Sequence, residues 1–181
     1  LCTIAPRVDR AAKATWPEAW SAAGLTRATA RVVSEAGGTA AYGGTPSDAG
    51  VVRLIRALKA RGLDVVLYPF VMMDIPAGNA LPDPWSGGVG QPPYPWRGRI
   101  ACDPAPGRPG SPDGTAAASA QVAAFFGAAA RADFAVSGDA VTYGGPAEWS
   151  FRRHILHYAH LALAAGGVDA FIIGSELASL T

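Results

Sequence analysis

Two apolar runs set what this chain can fold into. LDVVLYPF at residues 63–70 and VDAFIIG at 168–174 are nearly continuous in hydrophobic, β-branched and aromatic character. That is the pattern of strands covered on both faces rather than one. Each follows a stretch of helical periodicity, and strands alternating with helices read as βα units of a parallel sheet. The first helix is predicted from residue 48. Ser47 and Asp48 cap it, Val51, Val52, Leu54, Ile55 and Leu58 recur on one face, Arg53, Arg56, Lys59 and Arg61 crowd its later turns, and Gly62 stops it. The second is predicted over 147–165, opened by Pro146 and closed by Gly166-Gly167, and provides the right-handed crossover that parallel strands require.

Between the two runs the composition changes sharply. Residues 76–114 hold ten prolines and eight glycines, with Trp85, Tyr94 and Trp96 among them. A loop of this length in a compact domain points to function or disorder, and its aromatics argue against disorder. A helix over 116–131 and a hairpin-like stretch DFAVSGDAVTYGG follow. At the other end, residues 7–23 carry helix-compatible alanines and residues 25–46 alternate weakly.

The 181 residues suffice for one hydrophobic core. Fifteen basic against fourteen acidic side chains, with no cationic block, argue against a nucleic-acid partner. The longest apolar runs fall far short of a membrane span, and no basic segment precedes an apolar one at the start, so neither membrane insertion nor a signal peptide is expected. Cys2 and Cys102 lack metal-ligand spacing and read as two isolated thiols, with a disulfide between them left open. Both ends look like cuts through a larger protein.

Several chemistries fail on spacing. The glycine-rich stretches match neither a dinucleotide fingerprint nor a phosphate-binding loop. His154, His157 and His160 drift around one helix instead of converging, which favours a polar helix flank shared with Arg153 over a metal site. Ser175 follows a strand in IIGSEL, but Leu177 stands where a nucleophile elbow needs glycine. The carboxylates at strand ends remain. In parallel α/β sheets ligands bind beyond the carboxyl ends of the strands, and Asp74 and Glu176 both fall there. Asp74 serves equally well as a cap or loop polar group. Glu176, after a fully apolar run, is expected in a partly desolvated rim suited to a general acid. Trp85, Tyr94 and Trp96 either stack on sugar rings or plug the loop onto the surface.

YGGTPSD, YPFVMMDIP, QPPYPWRGRI and GGVDAFIIGSEL, in this order and spacing, resemble the third and fourth βα units of β-mannanase-like (β/α)8 glycoside hydrolases. More closely, they resemble the glycoside-hydrolase TIM-barrel-like domain of phage-tail and gene-transfer-agent host-specificity proteins. The resemblance covers residues 41–181. It implies an α/β fold that is part of a TIM barrel, about strands three and four with their helices and the long loop. Residues 1–46 are then a variable segment, 47–75 helix plus strand, 76–115 the aromatic loop, and 116–181 the helices and final strand.

By the matched motif, Glu176 takes the role of general acid/base, while Asp74 and the Trp96-Arg97-Gly98 step line the sugar cleft. Trp85, Tyr94 and Ser175 join them as candidate substrate contacts. Ser175 departs from the Asn that many related enzymes carry before the acid. A retaining mechanism needs a second carboxyl roughly 5 Å from the first, and the related enzymes supply it after their seventh strand, whereas a whole barrel takes about 250 residues. The resemblance thus implies a fragment of a glycan-cleaving tail protein, located in a phage-like particle beside other tail and baseplate proteins, with no cofactor and no metal. Its rival is a non-catalytic structural or glycan-binding module on the same scaffold.

Overall fold

The computed structural model describes residues 4–8, 19–32, 35–36, 39–40, 44–93 and 95–180. Cys2 and Tyr94 lie outside them. The first elements among the described residues are two-residue strands: β1 (Arg7–Val8), β2 (Ser21–Ala22), β3 (Leu25–Thr26), β4 (Arg31–Val32), β5 (Glu35–Ala36) and β6 (Thr39–Ala40). β1 pairs in parallel with β4, while β2–β3 and β5–β6 are antiparallel pairs. The helical reading of residues 7–23 therefore fails wherever they are described. Val8, Trp20, Ala22 and Ala30 bury against one another, and the Ala23-Gly24 turn between β2 and β3 has φ of +49° and +82°. Two positive φ values in a two-residue turn match a tight hairpin. At Ala22 and Ala23 the hairpin beside the buried Trp20 overrides the helix preference of alanine.

α1 (Asp48–Lys59) forms as its sequence predicts. The Ser47 hydroxyl accepts the Gly50 N–H at 3.1 Å. At the far end the Leu63 N–H donates to the Leu58 carbonyl and the Gly62 N–H to that of Lys59, with Gly62 at φ +73°. These are the two bonds of a Schellman stop. β7 (Val66–Leu67) follows, then the long loop with a 3-10 turn at Arg97–Arg99.

α2 (Ala116–Phe126) is shorter than expected. It ends at Gly127, φ +75°, because the Glu148 carboxylate accepts the N–H groups of Ala128 and Ala129 there at 2.9–3.0 Å. A Cβ on Gly127 would lie 2.3–2.4 Å from Glu148 and Ser150 atoms. β8 (Phe134–Ser137) and β9 (Ala140–Tyr143) form the expected hairpin around Gly138-Asp139. α3 (Phe151–Ala164) begins later than Pro146 suggested, since Ser150 is the residue that caps it, accepting the Arg153 N–H.

β10 (Ala170–Phe171) lies parallel to β7 in the register Ala170↔Val66 and Phe171↔Leu67. Asp169 holds that register from outside the ladder. Its carboxylate accepts Lys59 Nζ at 2.8 Å and the Val65 N–H at 2.7 Å. Beneath the pair, Val52, Ile55 and Val65 pack on Leu161, Ala164 and Ala165. Leu161 is fully buried, and a leucine so placed contributes roughly 1.5–3 kcal/mol. The Arg56 guanidinium also donates to the Ala164 carbonyl at 2.6 Å, joining α1 to the end of α3.

The expected double-sided burial fails: the 63–70 run is covered on one face, and no residue of the 168–174 run is buried. Val65 is buried, but Val66, Phe70, Ile172 and Ile173 are exposed. The result is a mixed α/β fold whose sheets among the described residues are five two-stranded pairs, with no closed barrel.

The histidines of α3 do not form a polar flank. His157 and His160 are buried. His157 Nε2 pairs with Asp48 Oδ1 at 2.9 Å, His160 Nδ1 with the Leu156 carbonyl at 2.7 Å, and His154 Nε2 contacts the Pro69 carbonyl at 3.4 Å. His157 thus packs α3 on α1, His154 packs it on the segment past β7, and the His160 ring stacks on Phe134 of β8. Cys102 is a buried free thiol.

Candidate functional site

Past β10 the chain turns through Gly174 and Ser175 to Glu176, which has φ +57°. A non-glycine residue in the left-handed region costs roughly 1–2 kcal/mol, and such residues persist where their surroundings over-determine them. The surroundings here come from two other segments. Past β7 the chain presents Tyr68 and Phe70, and from the long loop the 3-10 turn delivers Trp96 and Arg97.

Arg97 sits at the centre. It is only 8% exposed, and its guanidinium lies 3.6 Å above the Phe70 ring. Nε donates to the Ser175 carbonyl at 3.2 Å, and Nη2 donates to Ser175 Oγ at 3.1 Å and Tyr68 Oη at 3.2 Å. Nη2 also forms an ion pair with Glu176 Oε2. The Tyr68 and Ser175 hydroxyls contact each other as well. A buried guanidinium is tolerated only when paired and hydrogen-bonded, and this one is both.

The Trp96 indole N–H donates to the same Oε2 at 2.9 Å. Its ring lies against Gly98, where a Cβ would come within 2.3 Å of the ring carbons, yet the residue is 56% exposed. An open indole face beside a carboxylate is a surface on which a sugar ring can stack. Glu176 Oε1 carries no hydrogen bond among the described residues. The rim is not the desolvated one expected: the Glu176 side chain is 49% exposed, and a cation and an indole hold it in place.

The other candidates fall elsewhere. Asp74 is buried at 1% side-chain exposure and paired with Arg7 Nε at 3.1 Å, which ties the start of the loop to β1. Trp85 donates its indole N–H to the Arg99 carbonyl at 2.8 Å and lies under the Arg99 guanidinium. Arg99 also reaches Asp83. Burial pushes the Asp83 carboxyl up, but the Trp85 N–H, the Ser86 hydroxyl and N–H, and Arg99 together hold it below the ordinary value. Trp85 thus pins the loop to itself, the plug reading, while Trp96 retains the open face. Tyr94, the third candidate, is outside the described residues.

Sequence reasoning missed Tyr68 and Phe70, which it absorbed into a uniformly apolar run. Their i, i+2 spacing at the carboxyl end of a strand was the available signal, because alternate residues share a face.

A cavity of about 1180 Å³ is lined by Tyr68, Asp74, Trp85 and His154 among many apolar side chains, and Glu176 is not on its wall. The void beside Arg97 and Ser175 is only about 10 Å³. Volume and chemistry therefore separate in this molecule. The large space is walled mainly by the apolar faces of α1, β7 and the loop, so the convergence of charged and hydroxyl groups at Glu176 is the better guide to a site. Among the described residues no group of three or more His, Cys, Asp or Glu side chains could hold a metal, and no helix is long and apolar enough to cross a membrane.

Residues 149–181 match the family described as the GTA TIM-barrel-like domain. That stretch contains α3, β10 and the Glu176 turn, so the likeness falls on the helix, strand and strand-end carboxylate that build one side of the site. No curated protein matches the chain significantly.

Proposed function

We propose that this domain belongs to a glycosidase-like protein of a phage-tail or gene-transfer-agent particle, cleaving a glycosidic bond in a cell-surface or cell-wall glycan with Glu176 as general acid/base. The observation that carries the reading is the Glu176 carboxylate itself. It stands past the carboxyl end of β10 in a left-handed backbone, with Oε2 fixed by Arg97 and the exposed Trp96 indole and Oε1 without a hydrogen bond among the described residues.

In this reading a sugar packs on Trp96, and Oε1 passes its proton to the leaving oxygen as the anomeric C–O bond breaks. A second carboxylate attacks the anomeric carbon, and Glu176 then takes a proton from the water that releases the product. The resemblance assigns that second carboxyl to a later barrel strand. Tail and baseplate neighbours would be the protein partners.

Glu176→Gln in the full-length protein tests this directly, because the amide keeps the shape and loses the proton. Glycan cleavage, followed as reducing ends released from purified cell envelopes, is expected to fall by about 10²–10⁴-fold. Unchanged turnover would sink the assignment.

A second reading, a non-catalytic glycan-binding or structural tail module, is favoured by one observation. Among the described residues the hydrogen-bonded cluster around Arg97 contains a single carboxylate. Glycan retention by the wild-type protein with no released ends would select it.

A further inference from the structure

We infer that Arg97 is the positioning residue of the site, a clamp that fixes the Ser175–Glu176 turn and so aims the Glu176 carboxylate, and not a contact to sugar. The inference rests on the glycosidase reading for its kinetic consequence and on geometry alone for its structural one.

Three observations carry it. First, the Nε and Nη2 donors of Arg97 are spent on the protein. Nε is bound to the Ser175 carbonyl, and Nη2 reaches Ser175 Oγ, Tyr68 Oη and Glu176 Oε2. The guanidinium is 8% exposed with Phe70 across its face, so a sugar lying on Trp96 would meet little of it. Second, the groups it holds belong to two consecutive residues: the carbonyl and hydroxyl of 175 and the carboxylate of 176. Gripping a peptide unit and the side chain after it constrains the torsions that set where the Glu176 Cα–Cβ bond points. Those torsions are the unfavourable ones, with φ at +57°. Third, the clamp is anchored from β7 through Tyr68 and Phe70, so the neighbouring parallel strand braces the end of β10.

The arrangement requires a fork. A guanidinium presents several coplanar N–H groups along fixed directions, whereas a lysine ammonium is one point charge on a flexible stem. Arg97→Lys therefore preserves the charge and loses the simultaneous grip. A carboxylate misplaced by about 1 Å can cost on the order of 10²-fold in rate. Substrate affinity, resting on Trp96 and on surfaces Arg97 does not reach, is expected to stay.

The test uses the full-length protein and the same cleavage assay. Arg97→Lys is expected to lower kcat by roughly 10²-fold with KM within about 3-fold of wild type, the split that marks lost transition-state alignment. In its crystal structure, Glu176 leaves the left-handed region or its carboxylate moves. A kcat within about 2-fold of wild type, or a raised KM at constant kcat, overturns the inference. If Arg97→Lys fails to fold, Tyr68→Phe removes one acceptor from Nη2 and is expected to lower kcat by roughly 3- to 10-fold without raising KM; an unaltered kcat overturns the inference equally.

Failure of the glycosidase reading is seen separately. If Glu176→Gln cleaves normally, or no cleavage occurs at all, the crystal structures of these variants still decide the clamp. A Glu176 that keeps its φ and carboxylate position without the Arg97 fork refutes it.

Discussion

Gly98→Ala separates the position of Trp96 from the stability of the fold. The backbone φ of Gly98 is not in the left-handed region, and the three nearest atoms to its missing Cβ all belong to the Trp96 ring, at 2.3, 2.4 and 2.5 Å for Cη2, Cζ3 and Cζ2. Carbon atoms pack at about 3.5–4.0 Å, so the ring must retreat by more than about 1 Å. The indole is more than half exposed and can swing outward, at the loss of its 2.9 Å bond to Glu176.

Glycine to alanine at a compatible φ restricts the unfolded chain and stabilises by about 0.4–1 kcal/mol. Loss of one partly solvated hydrogen bond costs roughly 0.5–1.5 kcal/mol. The two nearly cancel, and the melting temperature should move by no more than about 4 °C. Function should not cancel: with the stacking face displaced, KM for glycan is expected to rise by roughly 10-fold, the equivalent of about 1.4 kcal/mol. Calorimetry, cleavage kinetics and the assigned Trp96 indole N–H resonance measure the three quantities. An unmoved indole resonance with unchanged KM would refute the reasoning, as would a fall of more than about 10 °C, which would mean the ring is locked in place.

Other consequences concern strain and protonation. Glu176→Gly and Glu176→Ala both lose the carboxylate, but only glycine relieves the left-handed backbone; thermal unfolding should find the glycine variant more stable by about 1 kcal/mol, and equal stabilities would show that φ relaxes freely. Burial holds the His154 imidazole down to about 4, against the pull of the Pro69 carbonyl and with His157 adding to the depression. The unfolded chain takes up that proton near pH 6.5, so stability is full above that value and falls as pH drops toward 4, by up to roughly 3 kcal/mol. Urea unfolding across this window should show the slope in wild type and a flatter one in His154→Gln. Identical slopes would place the pH dependence elsewhere. Glu148 acts in a lower window: the Ser150 hydroxyl and the N–H groups of Ala128 and Ala129 keep its carboxyl below the ordinary value despite burial, so its contribution is lost only as pH falls below about 4.

What the sequence disclosed follows the range of each interaction. α1 was legible at both ends because its signals are local, Ser47 and Asp48 at the start and Gly62 at the stop. α3 was misread at its start because the segment from Pro146 to Glu148 is committed to closing α2, a contact across twenty residues. Gly127 signalled that closure, but the alanines after it suggested more helix. The histidines looked like a solvated flank because their partners, Asp48 and the Pro69 carbonyl, are 109 and 85 residues away. The strand-end position of Glu176 and the nearness of Trp96-Arg97-Gly98 were readable from pattern and resemblance. The way Arg97 grips Ser175 was not, since it spans 78 residues, and nothing in a glutamate announces a positive φ. Asp74 shared the strand-end signal and proved to be an ion-pair partner of Arg7.

The Asp169 contact gives the sheet an alignment mark outside its own ladder. Strands of two residues exchange few bonds, and a slip of a single residue would turn every side chain beyond it to the opposite face. One carboxylate seated against both the Val65 amide and Lys59 of α1 allows only one phase of β10 against β7. The aim of Glu176 is thus set at both ends of the strand: Asp169 chooses which face the chain presents, and the left-handed turn chooses the direction on that face.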